Sequence, residues 1–312
     1  MRILKPKALR KGDVIAIAAP ASPPASEEKL EKGIRYLEQL GYRVVLGKNL
    51  HKKRGYLAGT DKERASDLNE LFADTKIKAI FCARGGYGAS RILPLLDYKL
   101  VMRNPKILVG YSDITALHLA FFSKSGITSF SGPMVSVEMS GELRGNAEEF
   151  FWRAITSVKP LPAIKSKKSE QIFTGKSNTS TGRLLGGNLS LVSALAGTPY
   201  FKPAKDSILF FEEIDERPYR IDRMMQQLTL SSALKASRGI VLGNFSGCNP
   251  DPAKPSLTLS QVFEDVFERY AYPVVSGVRV GHVKNSLSLP IGVRVRLDGS
   301  GRNMEFLESG VS

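Results

Sequence analysis

The apolar positions of this chain change period repeatedly along its first half, and each change marks an element. Asp13 to Ala18 is a short, nearly unbroken apolar run that stops before Pro20, the pattern of a buried strand. From Glu28 to Leu40, Leu30, Ile34 and Leu37 recur at helical spacing until Gly41 ends the segment. Tyr42 to Leu46 is the next strand. Thr60-Asp61-Lys62-Glu63 has the capping-box pattern ahead of a helix through Leu68, Leu71 and Phe72, and the strand Ile77 to Ala83 follows. Another helical pattern carries Ile92, Leu95 and Leu96 before the strand Ile107-Leu108-Val109. This alternation predicts the α/β class: a largely parallel sheet with helices on its faces, whose functional loops lie at the carboxyl ends of the strands.

Between Lys165 and Thr181 the composition shifts to Lys, Ser, Thr, Gly and Asn, with Ile172 and Phe173 as the strongly apolar residues. That segment reads as a linker. The chain is thereby divided into an amino-terminal α/β domain at 1–160, a linker at 161–181 and a carboxy-terminal domain at 182–312. In the latter, Ile208 to Phe211, Gly239 to Gly243, Pro273 to Val280 and Val293 to Leu297 are strand-like. Helical patterns around Ile221 to Leu228 and Val262 to Tyr270 lie between them, so the second domain is mixed α and β. No repeat of fixed period appears.

A length of 312 residues, 42% hydrophobic and 24% charged, is that of a globular protein with a substantial core. The start, Met1 to Lys7, is basic but carries no apolar segment of signal-peptide length, and no later run approaches a membrane span. A cytoplasmic protein with no membrane partner is expected. Cys82 lies in a strand-like run and Cys248 in a turn-rich one, so both are expected to be free thiols. Forty-five Lys and Arg against thirty Asp and Glu give a net charge of +15, a field that favours anionic partners. The basic residues are nevertheless spread along the chain, with small clusters at Lys48 to Arg54 and Lys165 to Lys168 and no nucleic-acid-binding motif beside them. A solvated basic surface is the better reading, and no nucleic-acid partner is expected.

Three stretches place a chemically useful side chain at the end of an apolar strand. Gly110-Tyr111-Ser112-Asp113 sits between a strand and a helical pattern through Ile114, Leu117 and Phe121. Such a junction exposes a serine hydroxyl while the amides of the first helical turn point into the same space. The final glycine of the hydrolase G-x-S-x-G pattern is missing, and Ser112 or Asp113 acting only as a helix cap also fits. Phe211-Glu212-Glu213 ends a very apolar run, so strand alternation sends one carboxylate inward and the other outward. The inward one needs a partner, either an arginine such as Arg220 or Arg223, or the imidazole of a catalytic histidine. His282 follows the third strand-like run and opens a loop containing Asn285 and Pro290. Of the other histidines, His51 lies among lysines without an orienting group, and His118 lies six positions after Ser112, off the same helix face. Arg84-Gly85-Gly86-Tyr87-Gly88 also follows a strand, and its glycines leave amides free to bind negative charge, although neither G-x-G-x-x-G nor the P-loop pattern is met.

Taken together, Ala83 to Gly88, Gly110 to Asp113, Gly186-Gly187-Asn188-Leu189, Glu212-Glu213 with Tyr219 to Arg223, and Gly281-His282 with Asn285, Leu289, Pro290 and Gly292 resemble the LD-carboxypeptidase family of serine peptidases. The motifs stand in the family's order over nearly the whole chain. The resemblance implies a Ser-His-Glu triad of Ser112 as nucleophile, His282 as base and then acid, and Glu212 as orienter, with Glu213 as runner-up. It implies an oxyanion hole from the backbone amides of Gly86 and Asp113, with Arg84, Gly85 and Tyr87 as candidate substrate contacts. It also implies a Rossmann-like amino-terminal domain, a smaller carboxy-terminal α/β domain, a site in the cleft between them, and a homodimer.

The reaction so implied is release of the terminal D-alanine from the cytoplasmic murein tetrapeptide during peptidoglycan recycling, a small peptide substrate. A second branch of the family hydrolyses microcin C-type peptide-nucleotides and confers immunity. No aromatic-rich insertion in the second domain favours nucleobase stacking, so that branch is the alternative. A non-catalytic protein holding an anionic ligand is the alternative of another class, and convergence of Ser112, Glu212 and His282 separates it from the enzyme. No cofactor or metal is expected, because H-E-x-x-H is absent and three scattered histidines with two scattered cysteines make a poor zinc site. Turnover is accordingly expected to survive chelator treatment; loss of activity with metal removal and recovery on its return would contradict this.

Overall fold

Strand and helix alternate through the first half of the computed structural model, which describes residues 2–166, 171–173, 175–176, 178–202 and 206–312. The order is β1 (Val14–Ala18), α1 (Glu27–Gln39), β2 (Arg43–Leu46), α2 (Asp61–Ala73), β3 (Ile77–Cys82), α3 (Ala89–Ile92), α4 (Tyr98–Arg103), β4 (Ile107–Gly110), α5 (Thr115–Ser125), β5 (Ser129–Ser131) and α6 (Gly145–Thr156). The predicted capping box holds, with Thr60 and Glu63 bonding reciprocally at the start of α2, while α1 begins one residue before the expected Glu28 because Ser26 caps it by accepting from the Lys29 amide. The pattern through Ile92, Leu95 and Leu96 breaks into α3 and a 3₁₀ turn at Leu93–Leu95, because Pro94 has no amide hydrogen to continue a helix.

The second half runs β6 (Ile164–Lys165), β7 (Thr179–Asn188), α7 (Leu189–Leu195), β8 (Ser207–Ile214), α8 (Pro218–Leu230), α9 (Ala233–Ala236), β9 (Ser237–Ser246), α10 (Leu259–Phe267), β10 (Val274–Ser276), β11 (Leu289–Ile291), β12 (Arg294–Asp298) and β13 (Asn303–Phe306). Among the described residues these strands build a six-stranded sheet, β11-β5-β4-β3-β1-β2, and a seven-stranded one, β10-β9-β8-β7-β12-β13-β6. Strands β1 to β5 pair in parallel, as do β7 to β10, so the carboxyl ends of each set line one edge of their sheet. Strand β1 is buried along its whole length, as expected of a parallel strand covered on both faces, whereas edge strand β2 is largely exposed.

The segment 161–181, read as a linker from its composition, contributes β6 and the start of β7 to the second sheet. Its residues 167–170, 174 and 177, with Lys167 and Lys168 of the basic cluster, lie outside the described residues. In the other direction, β11 returns from the second half to pair antiparallel with β5 in the first sheet.

The two sheets meet behind the turn that carries Ser112. The Asn188 amide at the end of β7 donates to the Thr115 hydroxyl at the start of α5 at 3.0 Å. Gly187 makes that approach possible: it has φ +144°, and a Cβ there would lie 2.3 Å from the Thr115 hydroxyl oxygen. Thr115 is buried and has no room to retreat. Gly187→Ala is therefore expected to destabilise the protein by about 2–4 kcal/mol, the sum of backbone strain and overpacking. The midpoint of urea denaturation measures this, and an unchanged midpoint would contradict the account.

Candidate active site

Strand β4 delivers Ser112 through a strained turn. Tyr111 is extended, Ser112 takes φ +62°, and a 3₁₀ turn over Ser112–Ile114 leads into α5. A non-glycine residue in the left-handed region costs about 1–2 kcal/mol and persists only where its surroundings hold it. His118 supplies part of that hold. It is buried in α5, its Nε2 donates to the Gly110 carbonyl at 2.8 Å, and its Nδ1 accepts from the Ser129 hydroxyl at 2.8 Å. Burial pulls its pKa down to about 4 against the opposing pull of the Gly110 hydrogen bond, so the ring is neutral. His118, off the face of Ser112 as its spacing predicts, thus has a structural role with a definite target, the strand end before the serine.

Strand β8 ends in the two glutamates, and the loop after β10 brings His282 over the first. The Glu212 Oε2 accepts from His282 Nδ1 at 2.7 Å and from the His282 amide at 3.2 Å. Gly281 permits this contact: at φ +106°, a Cβ there would lie 2.5 Å from the same carboxylate oxygen. With Nδ1–H committed to Glu212, the lone pair of Nε2 is left to accept a proton. Burial lowers the proton affinity of His282, but the hydrogen bond and charge of Glu212, with smaller contributions from Glu213 and Glu138, outweigh it and raise the pKa above its usual value. The Tyr111 ring stands 5.0 Å from the imidazole, and its hydroxyl donates to Glu138 at 2.6 Å. Burial first, then Glu138, keeps that phenol protonated at any physiological pH.

Glu213 is occupied elsewhere. It accepts from the Asn188 side chain at 2.7 Å, the Ser190 amide and hydroxyl at 2.8 and 2.7 Å, and the Ile214 amide at 2.9 Å, which fastens the first turn of α7. The expectation that one glutamate faces outward is corrected here: both are buried, because β8 lies inside its sheet and both its faces are covered. Neither pairs with Arg220 or Arg223. Arg220 meets Glu216 at 3.3 Å, and Arg223 lies 5.6 Å from the centre of the Tyr219 ring. His51 does have a neighbouring carboxylate, Glu27 at 3.1 Å, but the pair is exposed at the surface.

The glycine loop after β3 lies against Ser112. A Cβ on Gly85 would stand 3.0 Å from that of Ser112 and 3.3 Å from its hydroxyl oxygen. Among the described residues, the Gly86 and Asp113 amides donate to no protein acceptor, and Arg84 and Tyr87 are exposed. A small pocket is bordered by Tyr111, Glu138, Gly281 and Asn285, so it adjoins the chain neighbours of Ser112 and His282, which do not themselves line it. Ser112 makes no hydrogen bond to His282 among the described residues. Tyr111 and Glu138 carried no signal in the sequence: a tyrosine beside a serine and a glutamate in a loop become a pair only in three dimensions.

Residues 15–132 match the LD-carboxypeptidase N-terminal domain, and residues 181–297 the LD-carboxypeptidase C-terminal domain. The chain belongs to the LD-carboxypeptidase family. It is 38% identical to a Bacillus subtilis protein named "Probable murein peptide carboxypeptidase", over 99% of this chain and 95% of that one. The muramoyltetrapeptide carboxypeptidase of Oxalobacter formigenes superposes with a TM-score of 0.84 at 31% identity, covering 94% of this chain and 97% of its own. Microcin C7 self immunity protein MccF, in complex with aspartyl sulfamoyl adenosine, superposes with a TM-score of 0.87 at 26% identity, covering 99% of this chain and 100% of its own.

The raised pKa of His282 carries a sign. The imidazolium is favoured in the folded state, so its contribution to stability is complete below about pH 6.5 and is lost as pH rises through the folded value. In an NMR titration His282 is expected to protonate above 6.5, and below 6.5 in Glu212→Gln, where burial remains and the partner charge is gone. An unmoved titration would contradict the pairing.

Proposed function

We propose that this chain is a serine LD-carboxypeptidase that releases the terminal D-alanine of the murein tetrapeptide in the cytoplasm, as a step of peptidoglycan recycling. The observation that carries the reading is the Glu212–His282 pair: Nδ1 is tied to a buried carboxylate at 2.7 Å, which leaves the lone pair of Nε2 to accept a proton. Family membership supports it, and so does the likeness to murein peptide carboxypeptidases. A homodimer of two-domain subunits, with the site in the cleft between the domains, accompanies the reading.

In the proposed mechanism the Ser112 hydroxyl oxygen attacks the carbonyl carbon of the diamino acid that precedes D-alanine. Its proton passes to His282 Nε2, and Glu212 stabilises the imidazolium. The carbonyl oxygen becomes an oxyanion held by the Gly86 and Asp113 amides, which have no competing acceptor among the described residues. Collapse breaks the peptide bond, and His282 returns the proton to the departing amine of D-alanine. A water then gives its proton to His282 and attacks the ester on Ser112, freeing the tripeptide and restoring the hydroxyl. Arg84, Gly85 and Tyr87 are taken as substrate contacts along the glycine loop.

A microcin-type peptide-nucleotide is the second reading, favoured by the likeness to MccF. Incubation with murein tetrapeptide and with an aspartyl-sulfamoyl nucleoside, followed by mass measurement, separates the two: loss of one alanine from the tetrapeptide supports the first, cleavage of the nucleoside conjugate alone the second. Ser112→Ala is expected to lower turnover by about three decades or more. Glu212→Gln is expected to lower kcat strongly with little effect on KM, whereas Glu213→Gln is expected to lower thermal stability first. A larger kcat loss in Glu213→Gln would reassign the triad carboxylate.

A further inference from the structure

The glycine loop is tied down on both sides of the Gly86 amide, and one of the ties leads to a buried cation. The Gly85 carbonyl accepts from the Ser22 amide at 3.1 Å, and the Tyr87 amide donates to the Ser22 hydroxyl at 3.2 Å. The Ala89 amide donates to the Asp113 carboxylate at 2.7 Å, and the Gly88 carbonyl accepts from Arg64 Nη1 at 2.8 Å. Gly86 is clasped between these points with φ +93°, and a Cβ there would lie 2.2 Å from the Ser22 hydroxyl oxygen.

Arg64 is reached from α2 and is fully buried, and the same Nη1 also donates to the Pro20 carbonyl, two residues before Ser22. One guanidinium nitrogen thus ties the loop and the segment that supports it. Its Nη2 meets Asp61, whose carboxylate is held from the far side of the loop by Arg91 Nε and Nη2 on α3 at 2.8–3.2 Å. The ring of contacts runs from α2 through the loop to α3 and back. Gly88 keeps it closed, since a Cβ there would lie 2.9 Å from Arg64 Nη1. The arrangement is poor for stability alone: a guanidinium removed from water is costly, and Arg64 Nε has no partner among the described residues.

We propose that Arg64 is a positioning residue for the oxyanion hole: by donating to the Pro20 and Gly88 carbonyls it fixes the loop that aims the Gly86 amide at the developing oxyanion. The inference rests on the reading of Ser112 and Gly86 given above. An amide displaced by about 1 Å loses on the order of a hundredfold in rate, while the ground state, which carries no oxyanion, is bound as before. A solely structural Arg64 would alter melting and leave the chemistry of the folded enzyme intact.

A fluorophosphonate probe tests this without reliance on the peptide. Ser112 Oγ displaces fluoride at phosphorus, its proton passes to His282, and the charged phosphoryl oxygen occupies the hole. The wild type is expected to label at Ser112. Folded Arg64→Met is expected to label about 10- to 100-fold more slowly, and its kcat for D-alanine release is expected to fall by a similar factor with KM within about threefold. Arg64→Lys, which keeps the charge but not the fork, is expected to fall between and serves as the deciding variant if Arg64→Met does not fold. Labelling of the deciding variant within threefold of wild type overturns the inference alone. An unlabelled wild type overturns the nucleophile assignment together with it.

Discussion

A carboxylate at the end of a buried strand must find donors, and Glu212 finds two on the same residue, the ring and the amide of His282. Much of the site depends on this contact. It requires a glycine at position 281 for the close approach, fixes which imidazole nitrogen is left to work, and lifts the basicity of a ring that burial alone would depress. Because Glu212 ends a strand of the second sheet and Ser112 follows a strand of the first, the proposed chemistry also depends on how the sheets are joined. The Gly187–Thr115 approach, three residues beyond the serine, provides that joint.

Around the dyad, polar groups are paired so that few remain free to move. His118 holds Gly110, Glu138 takes the Tyr111 hydroxyl and the Met134 amide, and Glu213 fastens the start of α7. The buried members, His118 and Glu213, would be a liability if unpaired; paired, the set removes ways for the strained serine turn to relax. The Gly86 and Asp113 amides stand out because nothing in the described protein competes for them.

The parallel core was legible because strand period, helix period and capping residues agree in the first half, as at Thr60 and Glu63. Strand β7 was hidden: Thr179 to Asn188 contains Gly182, Gly186 and Gly187, which lower strand propensity, and their purpose is close backbone approach that only the fold reveals. Return of β11 to the first sheet was equally hidden, since three residues carry no topology. At the site, Ser112, Glu212 and His282 stood out through resemblance of the whole set of motifs. Arg64 did not, because a lone arginine on a helix reads as solvated until its carbonyl acceptors are known.

The central claim, that the Glu212 carboxylate sets the basicity of the imidazole proposed to serve Ser112, is tested most directly by kcat/KM for D-alanine release across pH. The account predicts an acid limb with an apparent pKa above 6.5 in the wild type, moved below 6.5 and to a much lower plateau in Glu212→Gln. A limb that stays in place when the carboxylate is neutralised would contradict it.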